Sequence, residues 1–230
     1  MNVRTTIVFS SLALIYLATL PLTPYVAQFL PKALPIVVLA VFAYTKLSAM
    51  PRYMVLTALL FSLAGDVSLA LPFADSFITG LACFFVAHLT YAMCFALLHR
   101  RLQETPGDHI ISRKPKWLIS IIMVSFAVMM AVHILPASKA LFYPVVAYIS
   151  VITLMGLTAV WLAQTKLIVT GALLFVISDS ILAQSVFKTP LPLSTFWVMT
   201  TYYGAQYCLT MGLVDGFLRK ENRQEEKGQA

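Results

Sequence analysis

Long apolar stretches, separated by short polar or proline-bearing breaks, fill this chain of 230 residues. They lie near residues 5–20, 34–47, 53–71, 77–98, 117–135, 141–162, 167–186 and 196–218. About 20 apolar residues are enough for a helix to cross the hydrocarbon core of a bilayer. Backbone groups in that core must bond within their own segment, so such stretches read as helices. The alternating pattern of membrane barrel strands is absent. Composition agrees, with 60% hydrophobic and 11% charged residues, against about 45–50% and about 25% in a soluble domain. Soluble enzymes, nucleic-acid-binding modules and disordered tails are poor readings. The expectation is an all-α membrane protein, one integral membrane domain over residues 1–230 with eight transmembrane helices.

The loops suggest an orientation. The first stretch follows Arg4 and lacks a small-residue cleavage site, so it reads as a retained span. With the N-terminus inside, every Lys and Arg except Lys32, Lys139 and Lys188 falls on the inner side, as the positive-inside rule requires. Both termini are then cytoplasmic, and compactness and charge bias point to a bacterial inner membrane. The net charge of +7 reads as topology, and no nucleic-acid partner is expected. The loop 100–116 and the tail beyond Arg219 read as solvated orienting segments, with contact to anionic lipid headgroups as the alternative. Cys83, Cys94 and Cys208 lie in apolar runs and read as small hydrophobes, without disulfide or zinc spacing.

A faint internal repeat is also present. Residues 57–70 align without gaps on 170–183, with identities at Thr57/Thr170, Leu60/Leu173, Asp66/Asp179, Leu69/Leu182 and Ala70/Ala183. The third and seventh stretches read as equivalents in two parallel four-helix halves. Chance matching between apolar segments is the alternative.

Set back from the ends of the stretches, the charged residues are Asp66, Asp179 and Asp215. A mid-span acid costs roughly 2.5–3.5 kcal/mol to insert. Asp215 precedes Arg219 by four residues, which fits a surface ion pair along a helix. Asp66 and Asp179 have no cation in sight within the stretches. A carboxyl buried that way tends to hold its proton, which suits a general acid or a proton relay. The plainer alternative is a hydrogen bond between packed helices.

Other polar residues fall at similar depth, counted at about 1.5 Å per residue. Ser62 shares a helical face with Asp66, His88 with Tyr91, and Tyr203 with Gln206 and Tyr207. A polar pocket walled by the third, fourth, seventh and eighth stretches is expected, with Tyr202 as either a wall residue or part of an interfacial belt. The histidines His88, His99, His109 and His133 are too spread in depth for a three-histidine site, so no metal is expected. No H-x-x-x-H, G-x-S-x-G or phosphate-loop motif occurs in a suitable context.

The runs at 61–66 (FSLAGD), 84–91 (FFVAHLTY), 174–179 (LFVISD) and 202–206 (YYGAQ) resemble, in order and content, the YhhN-like lysoplasmalogenase family. Lys32 ahead of Pro35 resembles that family's lysine–proline pair, although Ala33 and Leu34 intervene. The resemblance implies a cofactor-free multi-pass hydrolase. Its substrate would be a lysophospholipid taken from the bilayer, a lysoplasmalogen whose vinyl ether is cleaved to a fatty aldehyde and a glycerophospho-base. It implies Asp66 and Asp179 as the catalytic pair. Ser62, His88, Tyr91, Ser178, Tyr202, Tyr203, Gln206, Tyr207 and Lys32 would bind substrate or support the acids. Vinyl ether hydrolysis needs a carboxylic acid to protonate carbon, and a carboxylate or dipole to stabilise the resulting cation. Which aspartate does which stays open at this point. The rival readings are a small-solute or proton-coupled transporter and a metal-dependent, ceramidase-like lipid amidase.

Overall fold

Runs of Leu, Ile, Val, Phe and Ala leave these segments one way to satisfy their backbone in hydrocarbon, and the described residues are helical almost throughout. The computed structural model describes residues 3–103, 113–163 and 165–228. Among them are eight α-helices: α1 (Val3–Thr19), α2 (Phe29–Lys46), α3 (Ala49–Ala70), α4 (Ser76–Gln103), α5 (Arg113–Ser138), α6 (Phe142–Leu162), α7 (Lys166–Phe187) and α8 (Ser194–Gly228). Short 3₁₀ turns follow α1 and α5, at Leu20–Leu22 and Lys139–Leu141. Side chains such as Ile7, Leu14, Val41, Ile122, Val132 and Ile177 cover the outside, as expected of a surface solvated by lipid. The protein is an integral, multi-pass membrane protein.

The expected eight transmembrane helices are corrected to six stretches with the length and apolarity to cross a bilayer among the described residues. These are Val3–Leu22, Phe29–Lys46, Ala49–Ala70, Ser76–Arg101, Pro115–Leu162 and Lys166–Phe187. Two causes account for the difference. Apolar sequence continues across the turn at Lys139–Leu141, so α5 and α6 fall in one stretch. Helix α8 is not among the six, because Thr200, Thr201, Tyr202, Tyr203, Gln206, Tyr207 and Thr210 dilute its apolar content. The orientation that rested on eight crossings falls with that count. The side chains of Arg113 and Lys114, all of His109, and the side chains of the tail after Arg219 lie outside the described residues.

A second correction concerns the start of α2. The apolar pattern predicts a start at residue 34, but the helix begins at Phe29. Pro31 sits in the first turn, where its missing N–H costs nothing. Pro35 forfeits only the bond to the Pro31 carbonyl. Lys32 is therefore a helical residue, 8% exposed, and not part of a loop.

Helices α3 and α4 pack together, as do α7 and α8. Helix α6 lies against α4, and α2 lies against α8. Helix α8 also touches α1, α3 and α4, so the least apolar helix is also heavily enclosed. Glycine permits the closest approach. A Cβ on Gly171 would stand 2.9 Å from the Leu209 backbone nitrogen and 3.0 Å from the Ala205 carbonyl oxygen.

Candidate active site

Gly65, immediately before Asp66, lets α3 carry an acid and still pack closely. A Cβ there would come within 2.7 Å of the Phe84 ring from α4. Phe84 meets Tyr202 edge-on at 5.9 Å, and Phe175 lies 5.5 Å from Tyr202 and 4.5 Å from the His88 ring. This aromatic cluster joins the surroundings of the two acids.

Asp66 is 2% exposed and both of its carboxyl oxygens are engaged. Lys32 Nζ lies 3.2 Å from Oδ1, and the Tyr202 hydroxyl donates to Oδ2 at 2.6 Å. Lys32 also donates to the Asp66 backbone carbonyl at 3.2 Å. The Lys32 carbonyl in turn accepts from the Tyr203 hydroxyl at 2.8 Å. The expectation that no cation reaches Asp66 is thus overturned.

Asp179 is set differently. The Tyr148 hydroxyl from α6 donates to its Oδ2 in a short hydrogen bond. His88 Nε2 lies 3.2 Å from the same oxygen and 3.0 Å from the Tyr148 hydroxyl. His88 Nδ1 is buried with no partner among the described residues. A buried N–H with nothing to bond would be costly, so the ring hydrogen is assigned to Nε2, where acceptors exist.

The two acids thus have parallel surroundings. Each is held by one side chain from the preceding helix, Lys32 on α2 for Asp66 and Tyr148 on α6 for Asp179. Each is also held by one from a more distant helix, Tyr202 on α8 and His88 on α4. Tyr148 escaped the sequence reading because a tyrosine in an apolar helix passes for packing. A signal was present. At the offset that aligns Asp66 with Asp179, Tyr148 falls one helical turn from Lys32.

Both acids line a cavity of about 500 Å³. It lies at the end of the bundle where α1 joins α2, α3 joins α4 and α7 joins α8. Lys32, Tyr202 and Ser178 share its wall, with Gln28, Ser76 and Ser194. Asp179 also lines a narrow apolar pocket of about 70 Å³ between α4, α5, α6 and α7, from which Asp66 is absent. Phe77, Phe84, Leu69 and Leu182 belong to both spaces, and Asp179 is the polar residue at their junction.

Several expected residues stand apart from the acids. Tyr91 donates to Gln206 Oε1 at 2.6 Å in the core, and neither lines the cavity. Tyr207 bonds Thr6 on α1 at 2.8 Å. Ser178 donates to the Val198 carbonyl at 3.0 Å. Ser62 is buried without a hydrogen-bond partner among the described residues. Asp215 forms the expected pair with Arg219, at 2.8 Å. His133 bonds Gln184 at 2.8 Å. No group of three His, Cys, Asp or Glu side chains converges among the described residues.

Comparison with known proteins adds an independent line. The model of the YhhN family matches residues 27–213. Human lysoplasmalogenase TMEM86B is 34% identical over 184 residues, covering 79% of this chain and 73% of that protein. The pig lysoplasmalogenase TMEM86B is 32% identical over 160 residues, covering 68% and 61% respectively. Bovine lysoplasmalogenase TMEM86A is 29% identical over 171 residues, covering 70% and 65%. The match thus spans less than two thirds of the length of the pig and bovine proteins. No solved structure matches the chain.

Proposed function

The chain belongs to the YhhN family, and we propose that it is a membrane hydrolase that cleaves the vinyl ether bond of a lysoplasmalogen, releasing a fatty aldehyde and a glycerophospho-base. One observation carries the proposal: two carboxyl groups from different helices line a single cavity, and one of them stands where that cavity meets an apolar pocket. The substrate has the matching build, a hydrocarbon tail joined through the reactive double bond to a polar headgroup. The first carbons of the tail enter the apolar pocket, the rest of the tail continues into the bilayer, and the headgroup occupies the larger cavity.

The reaction asks for a proton donor and a group that steadies positive charge. Protonation of the carbon beside the tail converts the double bond to an oxocarbenium ion. Water adds to the carbon attached to oxygen, and the hemiacetal collapses to aldehyde and alcohol. Asp66 and Asp179 are our catalytic pair. Tyr202, Lys32, His88 and Tyr148 hold them in position. Ser178 is assigned to the cavity wall near the headgroup. Tyr203 acts through Lys32, while Ser62, Tyr91, Gln206 and Tyr207 support the packing around the site. A bacterial inner membrane is its proposed location, on the compactness of the chain.

The test is aldehyde release from lysoplasmalogen by the purified protein in detergent, with no membrane gradient. Activity should fall by about 100-fold or more in Asp66→Asn and in Asp179→Asn. Full activity in both variants would remove the acids from the mechanism. Dissipation of a solute gradient in liposomes without any cleavage would instead establish a carrier.

A further inference from the structure

The vinyl ether is asymmetric, and so are the surroundings of the two acids. Its β-carbon carries the tail, while its α-carbon carries the ether oxygen and, beyond it, glycerol and headgroup. The apolar pocket touches Asp179 and not Asp66. The larger cavity holds Asp66 with Lys32, Gln28, Ser76 and Ser194. A tail in the first and a headgroup in the second turn the β-carbon toward Asp179 and the α-carbon toward Asp66. The hydrogen bonds differ in the same sense. Both oxygens of Asp66 are engaged, by Lys32 and Tyr202. The bonds to Asp179 among the described residues converge on Oδ2, which leaves Oδ1 to face substrate.

Resting on the hydrolase reading above, we propose that Asp179 donates the proton to the β-carbon, and that Asp66, held as a carboxylate by Lys32, faces the oxocarbenium carbon and receives a proton from the attacking water. In the first step the π pair of the double bond takes the proton from Asp179, forming a C–H bond and leaving Asp179 as a carboxylate. The α-carbon and ether oxygen share the positive charge opposite Asp66. Water then forms a C–O bond to the α-carbon and gives one proton to Asp66, which yields the hemiacetal. In the collapse, Asp179 takes the hemiacetal hydroxyl proton while the bond to the glycerol oxygen breaks. That oxygen receives the proton from Asp66. One water is consumed, aldehyde and alcohol leave, and both acids return to their starting forms. Lys32, His88 and Tyr148 are positioning residues in this scheme.

Two readouts separate the roles. The first is the infrared C=O stretch of a protonated carboxyl, which lies clear of the carboxylate band. It should be present in the resting wild-type protein, lost in Asp179→Asn and retained in Asp66→Asn. Lys32→Met should add a second such band, a signature that a merely structural lysine would not produce. The second is binding of a single-tailed ether lipid with an ammonium nitrogen in place of the α-carbon, a mimic of the cation. Its affinity should fall at least about tenfold in Asp66→Asn and less than about threefold in Asp179→Asn. The uncharged saturated ether should bind both variants as it binds wild type, which reports that the site is folded. Loss of the band in Asp66→Asn with retention in Asp179→Asn overturns the assignment, as does equal weakening of the ammonium lipid in both. Failure of the wild type to release aldehyde overturns the hydrolase reading itself, and the assignment with it.

Discussion

Lys32 and Asp66 form an ion pair at 3.2 Å inside the helix bundle, one from the first turn of α2 and one from the last third of α3. The pair is hydrogen-bonded on both sides, by Tyr202 on the carboxylate and through the Lys32 carbonyl by Tyr203. Charge taken out of water is tolerated when it is paired and its remaining bonding capacity is satisfied. Removing one member is therefore more damaging than the worth of the pair.

Lys32→Met tests that inequality. It keeps the length of the side chain but leaves Asp66 without its cation. Breaking a buried pair costs about 3–5 kcal/mol, so the melting temperature in detergent should fall clearly. The double variant Lys32→Met/Asp66→Asn should recover part of that loss. A Lys32→Met protein as stable as wild type would show that the pair contributes little.

Tyr148→Phe removes one hydroxyl and leaves the ring packed edge-on against His88, 5.5 Å away. Asp179 loses a donor, at a stability cost of about 1 kcal/mol. The catalytic cost should be larger, with kcat for aldehyde release falling about tenfold and KM changing little. A rise in KM with unchanged kcat would point to tail binding instead.

Ala127 lines the apolar pocket, and Ala127→Phe should fill it. At about 0.8 kcal/mol per buried methylene, displacing two or three carbons of the tail costs about 2 kcal/mol in kcat/KM. The loss should appear with a long-chain substrate and shrink with one whose β-carbon bears only a methyl group. Equal loss with both would place the tail elsewhere.

Two glycines allow a controlled comparison. A Cβ on Gly171 meets backbone atoms of α8, whereas on Gly156 it meets the flexible end of Met123 at 2.6 Å. Gly171→Ala should therefore destabilise by about 1–3 kcal/mol through forced separation of α7 and α8. Gly156→Ala should cost distinctly less. Thermal unfolding of the two variants side by side decides it.

Asp66 and Asp179 were legible in the sequence because a charge within an apolar stretch is expensive and conspicuous. Their partners were harder to read. Lys32 hid behind Pro31 and Pro35, which resemble a helix boundary but are accommodated in the first turns of α2. Tyr148 hid in a helix that otherwise reads as lipid-facing or core. Tyr91, Gln206 and Tyr207 had suitable depth and spacing, yet they pair with each other or with Thr6, since periodicity gives a face and not the neighbour opposite it. The helical class was plain from hydrophobicity. The number of crossings was not, because the break between residues 135 and 141 is a turn inside one long apolar stretch, and the stretch at 196–218 belongs to a helix too polar to count as a crossing.

That sheltered helix bears on how the molecule is made. Helix α8 follows the other seven in the chain and is the least suited of them to dissolve in lipid by itself. In the folded bundle it lies against α1, α2, α3, α4 and α7. Its arrival brings Tyr202 to Asp66 and closes one wall of the cavity. Without α8 in place the chain still carries both acids, but the space between them loses the wall built by Ser194, Val198, Met199 and Tyr202.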